Sequence, residues 1–260
     1  MTPRLILLGT GGALQTAARD NTALALVIED RAVLVDCPGS ACRKLLQGGV
    51  DPLRLAAVVI THLHTDHVYG LPSLVHNLWL LARGRQLTPV PIYVPEQGVE
   101  PLRRLLAALD LDRRGTFLEY RPLPGDPGTV FWEYHGHRLA SHPVDHGPET
   151  FAIRWETPAG LRLVYSSDTR PLEALAEFGR GASYLVHDAT YAEDEADRAR
   201  VGGHSTPAEA GRVATLAGAR RLVLVHLGEQ ATPARWIAEA STTFTGPIDV
   251  PEDGAVYPLG

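Results

Sequence analysis

Cysteine is scarce in this chain, and its scarcity excludes small proteins that depend on disulfides. Only Cys37 and Cys42 occur among the 260 residues. Two thiols cannot build a disulfide framework, and without a histidine close to them they make a weak metal site. We therefore expect both thiols to be buried and unreactive in a protein that is large enough for a substantial hydrophobic core.

Positive charge and long apolar runs are also limited. The formal net charge is −6, and Lys44 is the only lysine. A protein that grips a long nucleic acid usually shows a basic stripe, which this sequence does not. The sequence contains no run of eighteen apolar residues, so it predicts no membrane span. The apolar stretch at the start of the chain is too short for a signal peptide. We therefore expect a cytoplasmic protein.

The chain does contain a dense group of potential metal ligands. His62, His64, Asp66 and His67 follow the apolar run 56–60, which predicts a buried strand. Imidazole and carboxylate groups are the usual ligands of zinc and related ions. His62 and His64 can face one side of an extended segment, whereas the other two lie beyond it. This spacing indicates two neighbouring ions that need further ligands from elsewhere in the chain.

Three other predicted strands end in the same residue types. Such side chains at the ends of buried strands are typical of the reactive edge of α/β enzymes. The strands cover 161–166, 183–186 and 221–225, and they are followed by Asp168, by His187 and Asp188, and by His226. Any one of these residues could be an ordinary turn residue, but their repetition predicts a common site.

Strands and helices alternate in both halves of the chain. The other predicted strands cover 5–8, 23–28, 32–36, 91–94, 138–141 and 151–155, and the predicted helices cover 40–47, 72–82, 100–109, 171–178, 207–217 and 232–241. The similar organisation of residues 1–121 and 122–260 predicts one domain of two βα halves. We expect an α/β protein, a four-layer αββα sandwich, with its site along one edge of the sheets.

Together these motifs resemble the metallo-β-lactamase superfamily, and within it ribonuclease Z and related binuclear zinc phosphodiesterases. The His-x-His-x-Asp-His element at 62–67 is similar to the signature of the whole superfamily. The elements that resemble ribonuclease Z in particular are 9–12, 36–39, 70–72, 92–95, 144–146, 165–169, 185–190, 203–206 and 224–227. The resemblance therefore implies the metallo-β-lactamase fold over most of the chain.

The resemblance also implies a complete set of site residues. Two zinc ions per chain are expected, with manganese or iron as alternatives. One ion would be held by His62, His64 and His146, the other by Asp66, His67 and His226, and both would share Asp168. The catalytic residues implied are Asp66, Asp188 and His204, of which His204 would protonate the leaving oxygen while Asp188 orients its ring.

The helix start after His204 agrees with this role. Thr206 and Glu209 have the spacing of a capping box, and Pro207 occupies the first helical position. The N-terminus of a helix attracts anions, so this is a natural environment for a phosphate. The alternative interpretation is a surface histidine in front of a helix, which the adjacent capped helix start makes the less favoured one.

The remaining histidines are not expected to bind metal. His142 lies four residues before His146, but the spacing of the family's motif favours His146 as the ligand. His135 and His137 flank Gly136 in a predicted turn, so we expect both to be exposed. His187, beside Asp188, is expected to support the ligands instead of joining them.

The implied reaction is phosphodiester hydrolysis by a hydroxide held on the metals, in a homodimer. Two departures from ribonuclease Z bear on the substrate. His146 and Asp168 are only 22 positions apart, which leaves no room for the arm that clamps tRNA in that family. In addition, Asp188 stands where the family pattern has glutamate. A small or cyclic phosphodiester therefore competes with an RNA 3′ end as the substrate.

One alternative belongs to a different class of enzyme. A carboxylic-ester or thioester hydrolase of the lactonase or glyoxalase II type would use the same metal ligands. Such an enzyme would have no need of Asp188 and His204, so these two residues favour the phosphodiesterase.

Overall fold

The computed structural model describes residues 2–259. These residues divide into two compact units, each with its own sheet. Unit one comprises residues 2–9, 18–123 and 252–259, and unit two comprises residues 10–17 and 124–251. Strands β1 to β14 and helices α1 to α8 are numbered in chain order.

Unit one is built on a seven-stranded mixed sheet. In chain order its strands are β1 (Arg4–Gly9), β2 (Ala23–Ile28), β3 (Arg31–Val35), β4 (Leu55–Val59), β5 (Val90–Val94), β6 (Leu118–Pro122) and β14 (Val256–Pro258). The spatial order is β14-β1-β2-β3-β4-β5-β6, antiparallel as far as β3 and parallel beyond it. All six residues of β2 are apolar and buried, as expected for a strand that is covered on both faces.

Four helices belong to unit one. They are α1 (Ala41–Gln47), α2 (Thr65–Val68), α3 (Leu71–Ala82) and α4 (Val99–Ala107), with short 3₁₀ turns at Pro52–Arg54 and Glu96–Gly98. Helix α3 buries Leu71, Leu74 and Leu78 on one face, because residues three and four positions apart share a side of a helix. This packing holds α3, and the short α2 before it, at the end of β4.

Unit two has a second seven-stranded mixed sheet. Its strands are β7 (Val130–Tyr134), β8 (His137–Val144), β9 (Thr150–Glu156), β10 (Arg162–Tyr165), β11 (Tyr184–Asp188), β12 (Leu222–Val225) and β13 (Ile248–Asp249). They follow one another in space, antiparallel from β7 to β10 and parallel from β10 to β13. Parallel β10, β11 and β12 therefore end at the same edge of the sheet.

The helices of unit two are α5 (Glu173–Phe178), α6 (Ala196–Gly202), α7 (Pro207–Ala217) and α8 (Pro233–Ala240), with a 3₁₀ turn at Glu193–Glu195. The predicted capping box of α7 is confirmed. The Thr206 hydroxyl accepts a hydrogen bond from the Glu209 backbone at 3.3 Å, and the Glu209 carboxylate accepts one from the Thr206 backbone at 3.0 Å. Among the helices of residues 2–259, none has the length and apolar character that crossing a bilayer requires.

The expectation for His137 is wrong. This residue begins β8 and is only 6% exposed, and its Nδ1 accepts a hydrogen bond from Trp155 Nε1 at 3.1 Å. The turn is shorter than predicted, because β7 extends to Tyr134 and β8 starts directly after Gly136. His135 is exposed, as expected.

Candidate functional site

Unit one gathers four potential ligands at the end of β4. His62 and His64 lie on the extended segment after this strand, and α2 carries Asp66 and His67. The His62 ring centroid is 4.8 Å from that of His64 and 4.0 Å from that of His67. Asp66 Oδ2 is 3.4 Å from His67 Nε2. The predicted ligands of this segment therefore converge within unit one.

Asp36, directly after β3, orients the potential ligand His67. Its buried carboxylate accepts hydrogen bonds from the backbone and hydroxyl of Thr61 at 2.8 and 3.0 Å, and it lies 2.8 Å from His67 Nδ1. Because a carboxylate can only accept, His67 Nδ1 carries the proton and Nε2 carries the lone pair that a metal needs. The sequence analysis gave Asp36 no such role, although an aspartate at the end of a buried strand was the available signal.

Close backbone contacts hold α2 against the loop after β3. The Cys37 backbone N–H donates to the His67 carbonyl at 2.8 Å, and Gly70 N–H donates to the Cys37 carbonyl at 2.9 Å. A Cβ on Gly70 would lie 2.5 Å from the Gly39 carbonyl oxygen, so glycine is required at this position. Cys37 and Cys42 are buried, unbridged thiols, as expected. Burial and the neighbouring Asp36 raise the pKa of Cys37 far above its ordinary value, which makes this thiol unreactive.

Unit two gathers His146, Asp168 and His226 from separate strand ends. All three side chains are almost completely buried. Asp168 Oδ2 lies 3.2 Å from His226 Nε2 and 3.8 Å from His146 Nε2. One carboxylate oxygen therefore contacts both imidazoles, which is the arrangement expected for a carboxylate shared between two ions.

Hydrogen bonds at Nδ1 also fix these two imidazoles. His146 Nδ1 lies 2.8 Å from the Gly203 carbonyl and must donate to it. His226 Nδ1 lies 2.7 Å from the Thr190 hydroxyl. The other oxygens within 2.9 Å of that hydroxyl, Asp188 Oδ1 and the His226 carbonyl, can only accept. The Thr190 proton therefore goes to one of them, His226 Nδ1 donates, and Nε2 again carries the lone pair.

Backbone strain marks three of the strand ends. Asp36 in unit one has a φ of 60°, and in unit two Ser167 and His226 each have a φ of 55°. A residue other than glycine pays about 1–3 kcal/mol for such a conformation, and these outliers cluster at functional sites. In unit two this left-handed turn lies directly before Asp168 and at His226 itself.

The buried Asp188 and the partly buried His204 form a pair next to these potential ligands. Asp188 Oδ2 lies 2.9 Å from His204 Nδ1 and also accepts the Thr169 backbone N–H at 3.1 Å. Burial disfavours the charge of Asp188, but the charge of His204 and its hydrogen bond keep the pKa of this carboxyl below the ordinary value. The His204 ring stacks on His226, with centroids 5.0 Å apart and planes at 14°. An oriented imidazole thus stands beside a potential metal ligand.

The donor atoms fit zinc in each unit taken by itself. With Zn–N and Zn–O distances of roughly 2.0–2.1 Å, two ligands of a tetrahedral ion lie about 3.3 Å apart. Asp66 and His67 in unit one are separated by 3.4 Å, and Asp168 and His226 in unit two by 3.2 Å. Imidazole and carboxylate ligands of this kind also suit manganese and iron. Both units therefore present groups that are prepared for divalent metal ions.

Comparisons with known proteins agree with this chemistry. The model of the Beta-lactamase superfamily domain matches residues 31–227. Two proteins named Ribonuclease Z, from Natronomonas pharaonis and Halorubrum lacusprofundi, are 30% and 31% identical to this chain. Each comparison covers 98% of this chain, and they cover 97% and 96% of the two relatives. The first extends over 302 residues, so that relative has residues with no counterpart among the 260 of this chain.

Solved structures show the same fold. The metallo-beta-lactamase fold protein YhfI from Bacillus subtilis has a TM-score of 0.85 at 23% identity, and human tRNase Z, short form, has 0.80 at 23% identity; both comparisons cover 99% of each chain. A diphosphatase from the PhnP family has a TM-score of 0.76 at 20% identity, over 100% of this chain and 98% of its own. The predicted α/β fold of the metallo-β-lactamase type, with two mixed sheets flanked by helices, is confirmed.

Proposed function

This chain belongs to the β-lactamase superfamily, and from that premise we propose that it is a binuclear zinc phosphodiesterase related to ribonuclease Z. Its relatives identify it as a metal-dependent hydrolase. The single observation that favours a phosphodiesterase over other hydrolases is the pair of Asp188 and His204, held at 2.9 Å. This pair supplies an oriented proton donor, which the departure of an alkoxide from phosphorus requires.

We propose that the ligands combine as the family resemblance implies. One zinc would be held by His62, His64 and His146, the other by Asp66, His67 and His226, with Asp168 shared by both. The hydrogen bonds at the Nδ1 atoms of His67, His146 and His226 support this assignment, because they direct the lone pairs of all three to Nε2. The contacts of Asp168 Oδ2 with two imidazoles support its shared role.

When bound, the two ions supply Lewis acidity, which makes a water nucleophilic near neutral pH and neutralises charge on the phosphoryl oxygens. Their charge exceeds that of the carboxylates Asp66 and Asp168, so an anionic diester is attracted to the centre. We assign Asp66 a catalytic role in addition to that of a ligand, because its carboxylate would hold one of the two ions at the reaction centre.

His204 donates the proton to the leaving oxygen in this proposal. Asp188 accepts the hydrogen bond from His204 Nδ1 and thereby leaves Nε2 as the atom that gives up its proton. The same carboxylate also accepts from the hydroxyl of Thr190, at 2.7 Å. Asp188 therefore contacts both His204 and Thr190, whose hydroxyl lies against His226 Nδ1. Through these contacts it keeps both imidazole rings in place.

We propose a small or cyclic phosphodiester as the substrate, with an RNA 3′ end as the alternative. The antiparallel strands β9 and β10 occupy most of the chain between His146 and Asp168. The remaining residues are too few for a tRNA-clamping arm. The relative from Natronomonas pharaonis has residues with no counterpart in this chain, which agrees with a missing arm. The net charge of −6 does not favour binding of a large RNA.

The proposed function is tested with a substrate panel on zinc-loaded protein. The panel contains bis-p-nitrophenyl phosphate, a nucleoside 2′,3′-cyclic phosphate, a precursor tRNA, a lactone and a thioester. We expect the first two to be hydrolysed and the precursor tRNA to be cut poorly at physiological salt. Turnover of the lactone or thioester without any phosphodiester cleavage would instead identify a carboxylic-ester or thioester hydrolase.

We also propose that the protein acts in the cytoplasm as a homodimer. Exposed apolar side chains on α3 support an interface, since Trp79 and Leu80 are 44% and 52% exposed and apolar surface of this kind favours association. Light scattering on the eluting protein should give twice the mass of the chain, and Leu80→Glu should give the monomer. A wild-type monomer at micromolar concentration would contradict the dimer.

A further inference from the structure

A cavity of about 660 Å³ opens beside His204 within unit two, in the size range of small-molecule sites. His204 and His226 form part of its wall, together with Tyr191, Arg198 and Leu14. The two histidines already belong to the proposed reaction centre, whereas the other three have no role there. Because His204 gives its proton to the leaving oxygen, the group bonded to that oxygen lies next to this cavity.

The Tyr191 ring is held as a platform in the cavity wall. Its centroid lies 5.9 Å from that of His204, with the planes at 56°. The guanidinium carbon of Arg198 lies 5.3 Å from the centroid of the same ring, within the range of a cation–π contact. Leu14, 62% exposed, adds apolar surface. An aromatic platform beside a reacting group is suited to stacking.

The charges of the wall favour an uncharged occupant. Asp194, Glu195 and Glu229 contribute three carboxylates, against the two guanidinium groups of Arg198 and Arg235. Both arginines are paired within the wall, Arg198 with Glu195 and Arg235 with Asp194 at 2.6 Å. A further phosphate would meet an excess of negative charge and no uncommitted cation. Hydroxyl groups, by contrast, can donate to the carboxylates.

We propose that this cavity binds the nucleoside part of the substrate on the leaving-group side. The base stacks on Tyr191, and the sugar hydroxyls donate to the carboxylates of the wall. This inference rests on the proposed function, because it takes His204 as the proton donor. Water adds to phosphorus and loses one proton to the solvent, the bond between phosphorus and a nucleoside oxygen breaks, and that oxygen receives the proton of His204, which the solvent then replaces. The inference narrows the substrate class to nucleoside phosphodiesters.

The kinetic test compares two five-membered cyclic diesters, one built on a nucleoside and one built on glycerol. Adenosine 2′,3′-cyclic phosphate carries a base, and glycerol 1,2-cyclic phosphate does not. Tyr191→Leu should lower kcat/KM for the adenosine substrate by about tenfold or more, as expected for a lost stacking contact. It should change kcat/KM for the glycerol substrate by less than about twofold, because the reacting groups are untouched.

Two controls separate stacking from general damage. Tyr191→Phe keeps the ring and should behave like the wild type on both substrates. Tyr134→Leu removes a ring of the same unit that does not line the cavity, and it should leave the ratio of the two kcat/KM values unchanged. An equal loss on both substrates in Tyr191→Leu, or no loss on either, would overturn the proposal.

A binding measurement separates this inference from the proposed function. Calorimetric titration with adenosine needs no turnover. The zinc-loaded wild type and Tyr134→Leu should bind adenosine, and Tyr191→Leu should bind it about tenfold more weakly. Hydrolysis of bis-p-nitrophenyl phosphate without adenosine binding would refute the nucleoside site alone. Adenosine binding that depends on Tyr191, in a protein that cleaves no phosphodiester, would refute the proposed function and leave the cavity as a nucleoside site.

Discussion

The two units contribute potential ligands in different ways. In unit one, His62, His64, Asp66 and His67 lie within six residues of one segment, between β4 and α3. In unit two, the ligands follow different strands, and the sheet brings them together because parallel strands end at the same edge. The first set is a local property of the sequence, whereas the second is a property of the topology. We therefore expect substitutions in unit two to disturb more of the centre at once.

The largest effect is expected for Asp168→Ala in unit two. Asp168 Oδ2 contacts the imidazoles of both His146 and His226, and in our proposal it is shared by both ions. Its loss should release both zincs together and abolish hydrolysis, because the shared carboxylate offsets the mutual repulsion of the ions. Elemental analysis of the purified variant measures this.

Asp145→Ala is the matched control for this prediction. Asp145 is next to His146 in the chain, but its side chain is half exposed and pairs with Arg170 at 2.8 Å. The control variant should retain both ions. If Asp168→Ala kept one ion at full occupancy, the shared role of Asp168 would be wrong.

His204→Ala should have the next largest effect, and on catalysis alone. Both zincs should remain, and phosphodiester turnover should fall by roughly 10²–10⁴-fold, the usual range for a positioned proton donor. The loss should be smaller for p-nitrophenyl esters, whose leaving group hardly needs a proton. His135→Ala, at an exposed position of the same unit, is the control. Loss of metal in His204→Ala would show that this residue is a ligand.

Asp188→Asn should give a milder form of the same defect. The asparagine side chain can still accept a hydrogen bond from His204 Nδ1, but it no longer stabilises a charged imidazole. Turnover of alkyl diesters should therefore fall less than in His204→Ala, with zinc content unchanged. Measuring both variants with the same alkyl and p-nitrophenyl esters shows whether the two residues act as a pair. A larger loss in Asp188→Asn than in His204→Ala would contradict a role that acts through His204.

The smallest effect is expected for Asp36→Asn in unit one. Asp36 accepts from His67 Nδ1 at 2.8 Å, and the loss of such a partner weakens metal binding by roughly 10–100-fold. Turnover at saturating zinc should be close to that of the wild type, since no reacting group changes. Zinc titration against a competing chelator measures the affinity. An unchanged zinc affinity would mean that the segment from His62 to His67 orients its ligands without the help of Asp36.

The difference between the two units also explains what the sequence could predict. The segment from His62 to His67 is recognisable without a structure, because its residue types and spacing are those of a metal motif. Asp168 and His226 were predicted from strand ends together with the family resemblance. The supporting roles of Asp36 and Thr190 were not predicted, because they depend on hydrogen bonds between residues far apart in the chain.

The elements of the fold show a similar division. The buried strands and the capped helix α7 (Pro207–Ala217) were predicted closely, since apolar runs and capping residues are local signals. Strands β6 and β7 were missed, because several of their residues are exposed and polar. The burial of His137 was missed because it depends on the partner Trp155 in a neighbouring strand.

The zinc content of the wild-type protein is the most direct test of our central claim, that both sets of ligands together hold a binuclear centre. The protein is loaded with zinc, freed of excess metal and measured by elemental analysis against the concentration of the chain. We predict two zinc ions per chain. One ion or fewer after careful loading would contradict the binuclear centre.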